Sequence, residues 1–198
     1  SNHLPVGPAR GLHLAAEITV VDTATLQTTN IRLPNGSSSV REICVSPDGR
    51  YAYAVHILSS YPIPTTQLER GWMNRNAIGV IDAVSCTHVN TILLDDRDGG
   101  AANPWGVCTT ADGEQIIVTH AGTHELSVID AEALHARLDS TPKTLEEART
   151  LGRGSYTTRT ADDIPNDLTF LSGLRRRISL DAVDKAATSR LALQSGPS

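Results

Sequence analysis

Apolar and polar residues alternate with a period of two over short runs, and each run stops at a turn signal. Glu17–Asp22 alternates, turns at residues 23–26 and returns as Thr28–Leu33, where Pro34-Asn35-Gly36 breaks the run. Val40–Val45 follows, then Pro47-Asp48-Gly49, then Arg50–Ile57, rich in aromatic and β-branched residues. Such runs read as strands, and Pro-Asp-Gly as a tight turn in which Pro presets φ and Gly supplies a positive φ. The order recurs downstream. Ala77–Asp82 and Val89–Leu94 are strands, Asn103-Pro104-Trp105-Gly106 leads into Val107–Thr109, Asp112-Gly113 turns, and Gln115–His120 and Glu125–Asp130 follow.

Two of these stretches superimpose. Cys44 to His56 aligns with Cys108 to His120, each with a cysteine four residues before an Asp-Gly pair and a histidine eight residues after the Asp. Each is followed by a strand ending Val-Ile-Asp, at Asp82 and Asp130, and Ile18-Thr19-Val20-Val21-Asp22 is an earlier copy of that strand. A repeat of about 40–50 residues built from short strands and turns predicts an all-β chain, a β-propeller with short helical inserts. Three to four blades are expected here, as part of a larger ring.

The Asp22–Asp82 interval exceeds a typical repeat, which marks residues 58–76, with Pro62, Pro64, Gly71 and Trp72, as an insert over one rim. On this reading residues 1–130 are blades carrying that rim insert. Residues 131–174 form a helical and loop insert, with short helices at 131–138 and 145–150, a polar loop over 152–163 and Asp167 as a helix N-cap. Residues 175–198 are expected to begin a further blade, cut short. An open arc exposes unpaired strand edges, so self-association through them is a further expectation.

Composition narrows the classes. The 198 residues are 39% hydrophobic, enough for a packed core, and carry a formal net charge of −5. That balance argues against a nucleic-acid surface, and Arg175-Arg176-Arg177 is too short a cationic run to reverse it. No run approaches the roughly 18 apolar residues of a membrane span. Three cysteines make no disulfide framework. Cys44 and Cys108 read as small buried hydrophobes, able to bridge only if their Cα atoms come within about 7 Å. Ser85-Cys86-Thr87-His88 is not Cys-x-x-Cys-His, so no covalent haem is expected on this chain.

The Ser-Pro-Asp-Gly turn with its following Tyr-Ala-Val, and the Val-Ile-Asp strands, resemble the YVTN family of bacterial β-propellers over residues 17–130. A closer likeness is to the propeller portion of bacterial secreted proteins that also carry cytochrome c peroxidase-like domains. It rests on Gln67–Asn74, Gly100–Val107, Thr119–Asp130, Pro165-Asn166-Asp167-Leu168 and Arg175-Arg176-Arg177. The resemblance implies a seven-bladed ring, a periplasmic or extracellular location and a neighbouring electron-transfer domain.

Candidate chemistry concentrates on histidines. His56 and His120 occupy the place of Asn in the family's Tyr-Val-Thr-Asn and should emerge at one end of adjacent blades. His124 and Glu125 follow His120, and the four together are a candidate transition-metal set. Two other readings stand beside it: each histidine braces a loop backbone, or the face contacts a haem. Asp22, Asp82 and Asp130 read as Asx-type turn braces. Asp95-Asp96-Arg97-Asp98 offers oxygens for Ca²⁺ but lacks the alternating spacing of a calcium loop. Trp72 and Trp105 are the candidate ligand or partner face. No nucleophile elbow, phosphate loop or His-Glu-x-x-His helix occurs, so no catalytic residue is assigned.

The function these features imply is a non-catalytic propeller module that binds a protein partner or an adjacent haem domain in an extracytoplasmic redox protein. A metal-dependent hydrolase of the lactonase type, centred on His56, His120 and Glu125, is the enzymatic alternative. A structural surface-layer module is the third.

Overall fold

A computed structural model describes residues 15–59, 73–152 and 160–180. Its strands are β1 (Glu17–Val21), β2 (Thr28–Arg32), β3 (Ser37–Val45), β4 (Tyr51–Ser59), β5 (Asn74–Asp82), β6 (Thr87–Leu93), β7 (Pro104–Thr109), β8 (Gln115–His120), β9 (Glu125–Asp130) and β10 (Arg175–Ser179). Helices α1 (Ala131–Asp139) and α2 (Leu145–Thr150) and a 3-10 helix at Ala161–Asn166 lie between β9 and β10. Strands β3-β4-β5-β6 form one antiparallel sheet and β7-β8-β9-β10 a second, each in simple up-and-down order, while β1 and β2 pair alone. The chain is therefore all-β with short helical inserts, and its described part is two whole blades of a propeller and two strands of a preceding one.

The turns close as the sequence dictates. The Asp48 carboxylate accepts from the Ser46 hydroxyl at 2.5 Å and from the Arg50 N–H at 3.0 Å, and Gly49 takes φ 72°. Asp112 does the same with Thr110 and Glu114, beside Gly113 at φ 77°. Asp22 and Asp82 each accept backbone N–H groups two and three residues ahead, the Asx braces expected of them. Four residues past each of these aspartates the chain turns left-handed, at Leu26 (φ 58°) and Cys86 (φ 53°), so the repeat extends to torsions that the residue types conceal. In the third copy Asp130 accepts from the Ala133 N–H at 2.8 Å and caps α1 instead.

The two blades meet along an apolar seam. Tyr53, Val55, Ile78, Val80 and Ile92 of the first face Val107, Ile116, Val118 and Ile129 of the second. Ala131, Leu134 and Leu138 of α1, with Ile164, Phe170 and Leu171, seal its outer side. Each large side chain so buried stabilises by about 1.5–3 kcal/mol. The opposite face of the first blade, through Ala52, Ala54 and Ile81, packs on Ile18, Ile31 and Leu33 of the two-stranded piece and on Val40. Because both its faces are covered, β4 is buried nearly throughout, whereas β8 is buried only at alternate positions.

Four expectations change. Strand β10 pairs with β9 in register Arg175↔Ile129 to Ser179↔Glu125, so it completes the second blade rather than opening another. The long insert had hidden that the fourth strand was still due. Residues beyond 180 lie outside the described part. The rim insert narrows, because β4 and β5 extend through Ser59 and from Asn74; its remainder, with Trp72, also lies outside the described residues. The polar loop over 152–163 ends in the 3-10 helix, and Asp167 braces a turn through the Thr169 N–H and hydroxyl rather than capping a helix. Cys44 is only half-buried and Cys108 is exposed, both as free thiols: Cys44 borders the seam, its sulfur 3.9 Å from the Thr109 hydroxyl, whereas Cys108 lies on the side of its strand turned away from that seam.

Two glycines test the turn argument. A Cβ on Gly36 (φ 89°) would stand 2.0 Å from the Ser59 carbonyl oxygen, whereas one on Gly49 (φ 72°) meets nothing. Gly49→Ala should cost about 1–2 kcal/mol in urea unfolding, the left-handed penalty alone. Gly36→Ala should cost clearly more, because the β3–β4 pairing must also shift.

Candidate functional site

His56 and His120 occupy equivalent places in the second strands of their blades. His56 pairs with Ala77 on β5 and His120 with Glu125 on β9. The blades lie side by side in the same direction, shown by the Cys44 sulfur 3.9 Å from the Thr109 hydroxyl and the Arg41 guanidinium 4.7 Å above the Trp105 ring. The two histidines therefore share one end of the molecule. Their environments differ.

His120 is buried, with Nδ1 3.0 Å from the Ala101 carbonyl oxygen and Nε2 2.8 Å from the Ser127 hydroxyl. A carbonyl only accepts, so Nδ1 carries the proton and the neutral ring accepts from Ser127 at Nε2. Burial lowers its pKa further. His56 is fully buried; Nδ1 donates to the Ile57 carbonyl at 3.2 Å and Nε2 has no hydrogen-bond partner. Burial pushes its pKa down to about 4, with the nearby His88 contributing.

The other members of the set are drawn elsewhere. Glu125 pairs with Arg177, which donates through Nε at 3.0 Å and through a terminal nitrogen. His124 lies exposed in the turn before β9 with φ 51°. Among the described residues no group of three or more His, Cys, Asp or Glu side chains is placed to hold a metal ion. Of the two tryptophans, Trp105 stands 57% exposed at the start of β7.

Sequence reasoning passed over the groups that organise this end. The crossover from β6 to β7 is held by Asp95, whose buried carboxylate accepts from the Asn76 N–H at 2.7 Å, the Asn76 side-chain amide at 2.8 Å and the Ala101 N–H at 2.7 Å. Asn76 in turn accepts from the Asn103 N–H. Ala101 thus joins Asp95 to His120 through its two backbone groups. Outside this knot Arg175 reaches the Leu94 carbonyl and Asp96, and Arg177 reaches Asp96, Gly99 and Gly100. Of the carboxylates offered for Ca²⁺, Asp95 is occupied by N–H donors and Asp96 by arginines. A cleft of about 450 Å³ opens beside them, lined by Arg75, Asn76, Asp98 and Gly100 among others.

A second cleft, of about 460 Å³, lies at the opposite end between the two Asp-Gly turns and α1. Tyr51 stacks on His135 with centroids 3.8 Å apart, and the Tyr53 hydroxyl lies 2.8 Å from His135 Nε2. Burial raises the Tyr53 pKa and lowers that of His135, so both are neutral at pH 7. Asp48, Asp112, Glu132 and Asp139 rim the cleft against the single cation Arg50. His135 joins Tyr53 only through the fold, and no spacing in the sequence announces the pair.

No family model matches the chain. Hydrazine synthase subunit beta of Kuenenia stuttgartiensis is 24% identical over 112 residues, covering 57% of this chain and 29% of that protein. The solved structure of Kuenenia stuttgartiensis hydrazine synthase superimposes with a TM-score of 0.68 at 20% identity, covering 88% of this chain and 45% of the matched one. The chain thus spans less than half the length of the proteins it matches. The likeness shows the fold, a partial β-propeller, and the YVTN resemblance gains no family match. No helix among the described residues is long and apolar enough to cross a membrane.

The lowered pKa of His56 has a definite sign. Above about pH 6.5 the ring is neutral in folded and unfolded chains alike, and its burial costs nothing in protonation. Between about 6.5 and 4 the unfolded chain takes up a proton that the folded chain refuses, so stability falls with pH by up to about 3 kcal/mol. Urea unfolding of wild type and His56→Leu at pH 7 and pH 4.5 should show the variant losing less stability on acidification. The contribution from His120, present in both proteins, cancels in the comparison.

Proposed function

We propose that this chain is a non-catalytic β-propeller module that docks a protein partner, a haem-bearing domain or subunit, within an extracytoplasmic redox assembly. The observation that carries the reading is the inward use of the candidate site. Both nitrogens of His120 hold protein groups, and Glu125 holds Arg177. Of the side chains that a metal-dependent hydrolase would need for its ion, His120 serves to fix the crossover and Glu125 the β9–β10 pair.

The likeness to a protein named as a subunit of hydrazine synthase supports the multi-protein setting. The sequence resemblance to propellers joined to cytochrome c peroxidase-like domains supports the haem. Stiffness suits the role, because a partner surface built on packed sheets loses little conformational entropy on binding.

The test is purification of the tagged full-length polypeptide from its native host, followed by haem staining of what elutes with it. A haem-staining domain or subunit in constant proportion is expected. Elution without haem protein would overturn the reading, as would a lactone hydrolysis activity abolished by chelator and restored by a transition metal.

A further inference from the structure

The turn that opens β3 carries a chemically reactive pair that the docking role does not use. Asn35 is followed by Gly36, and every other asparagine of the chain precedes a residue with a side chain. The difference matters because the backbone nitrogen of glycine has no neighbouring Cβ to shield it. It can approach the side-chain amide carbon of the residue before it.

The structure sets this pair at the middle of a tight turn. The Ser37 N–H donates to the Pro34 carbonyl at 3.0 Å, so Asn35 and Gly36 are the two central residues, and Gly36 takes φ 89°. Asn35 is exposed, and the Gly36 N–H donates to no described residue. Gly36 itself is buried against Ser59, whose N–H reaches the Gly36 carbonyl at 2.9 Å. Other asparagines are held differently. The side-chain amides of Asn76 and Asn90 are buried and donate to Asp95 and to the Ala161 carbonyl.

We propose that Asn35 is a site of spontaneous, backbone-assisted deamidation, and that the contact between Gly36 and Ser59 makes the fold accept one of its two products and reject the other. The Gly36 nitrogen gives its proton to hydroxide and attacks the side-chain carbonyl carbon of Asn35. A new C–N bond closes a five-membered imide. The bond from that carbon to the side-chain nitrogen breaks, and the nitrogen takes a proton from water and leaves as ammonia. Water then opens the ring. Addition at the side-chain carbonyl releases the Gly36 nitrogen and yields aspartate. Addition at the main-chain carbonyl leaves Gly36 joined through the former side-chain carbon and yields isoaspartate. Each route consumes one water and releases one ammonia, with no change of oxidation state.

The products differ in what they ask of the turn. Aspartate has the shape of asparagine and leaves the backbone unchanged. Isoaspartate inserts a methylene carbon into the main chain just before Gly36. Nothing there can absorb it, since a Cβ on Gly36 would already stand 2.0 Å from the Ser59 carbonyl oxygen. The turn hydrogen bond and the first β3–β4 pair, Ser37↔Leu58, must shift. The inference is independent of any redox partner.

Ageing the full chain at pH 8 tests it. Trypsin releases Leu33–Arg41 as one peptide, which mass spectrometry should find converted to its acid form, heavier by the difference between a hydroxyl and an amino group. The peptides holding Asn76 and Asn90 should stay unconverted. In guanidinium chloride the conversion at Asn35 should run about tenfold faster, because in the native chain the clamp on Gly36 must first open locally. A native sample that does not convert at Asn35 while the unfolded one does would overturn the proposal, and so would equal rates in the two. Pulse proteolysis of the aged protein in urea tests the second half. Molecules that survive should be depleted in isoaspartate, read by isoaspartyl methyltransferase labelling, whereas Asn35→Asp should survive as wild type does. Isoaspartate spread evenly between cleaved and surviving molecules would sink the claim that the turn rejects it.

Discussion

The dry seam between the two four-stranded sheets is the constraint on which the rest depends. A lone four-stranded antiparallel sheet leaves two faces in water, and the alternating side chains of β4 and β5 are apolar on both. Only a sheet on each side satisfies that pattern. Tyr53, Val55, Ile78 and Val80 are therefore hidden by the second blade, and Ala52, Ala54 and Ile81 by the strands that precede. Small residues on one side and large ones on the other set unequal spacings, which suits sheets that splay about an axis instead of stacking flat.

Polar groups do the fixing at the ends of that seam. At one end Asp95, Asn76, Ala101 and His120 form a continuous hydrogen-bonded knot, so the crossover reaches the second blade with its backbone groups satisfied. At the other, the stacked Tyr51 and His135 and the Tyr53–His135 bond seat α1 on the first blade. Buried polar groups that find partners specify one arrangement, since any slip leaves a donor or acceptor stranded at a cost of about 1–3 kcal/mol. Histidines in such a knot act as neutral linkers with a fixed tautomer, which is why their protonation opposes folding.

Much of the fold was legible because strands and tight turns are local. Period-two alternation marked β1, β2, β8 and β9 at full length and β3, β5 and β7 only in part, and Asp48-Gly49 and Asp112-Gly113 named their turns. What stayed hidden was non-local. Arg175–Ser179 reads as a strand, but nothing local says that it returns to β9 across residues 131–174. His120 is visible as a histidine, while its partners Ala101 and Ser127 are chosen by the crossover and the sheet. Asp95 sits in a run of charges that looks solvated until its three N–H donors are seen. The left-handed Leu26 and Cys86 break the usual preference for Gly or Asn, and only the repeat relates them.

The helical detour between β9 and β10 has a consequence for how the molecule assembles. Strand repeats ordinarily fold as loosely coupled units, each closed before the next begins. Here the second sheet lacks its outer member until the chain has returned from α1, and residues 161–171 on that return rest on β6 and the seam of the first sheet through Ile164, Phe170 and the Asn90–Ala161 bond. The neighbour must be in place before the sheet can be closed. The two units therefore gain or lose structure as a single cooperative block, and their formation is slowed by long-range contacts that helices alone would not demand.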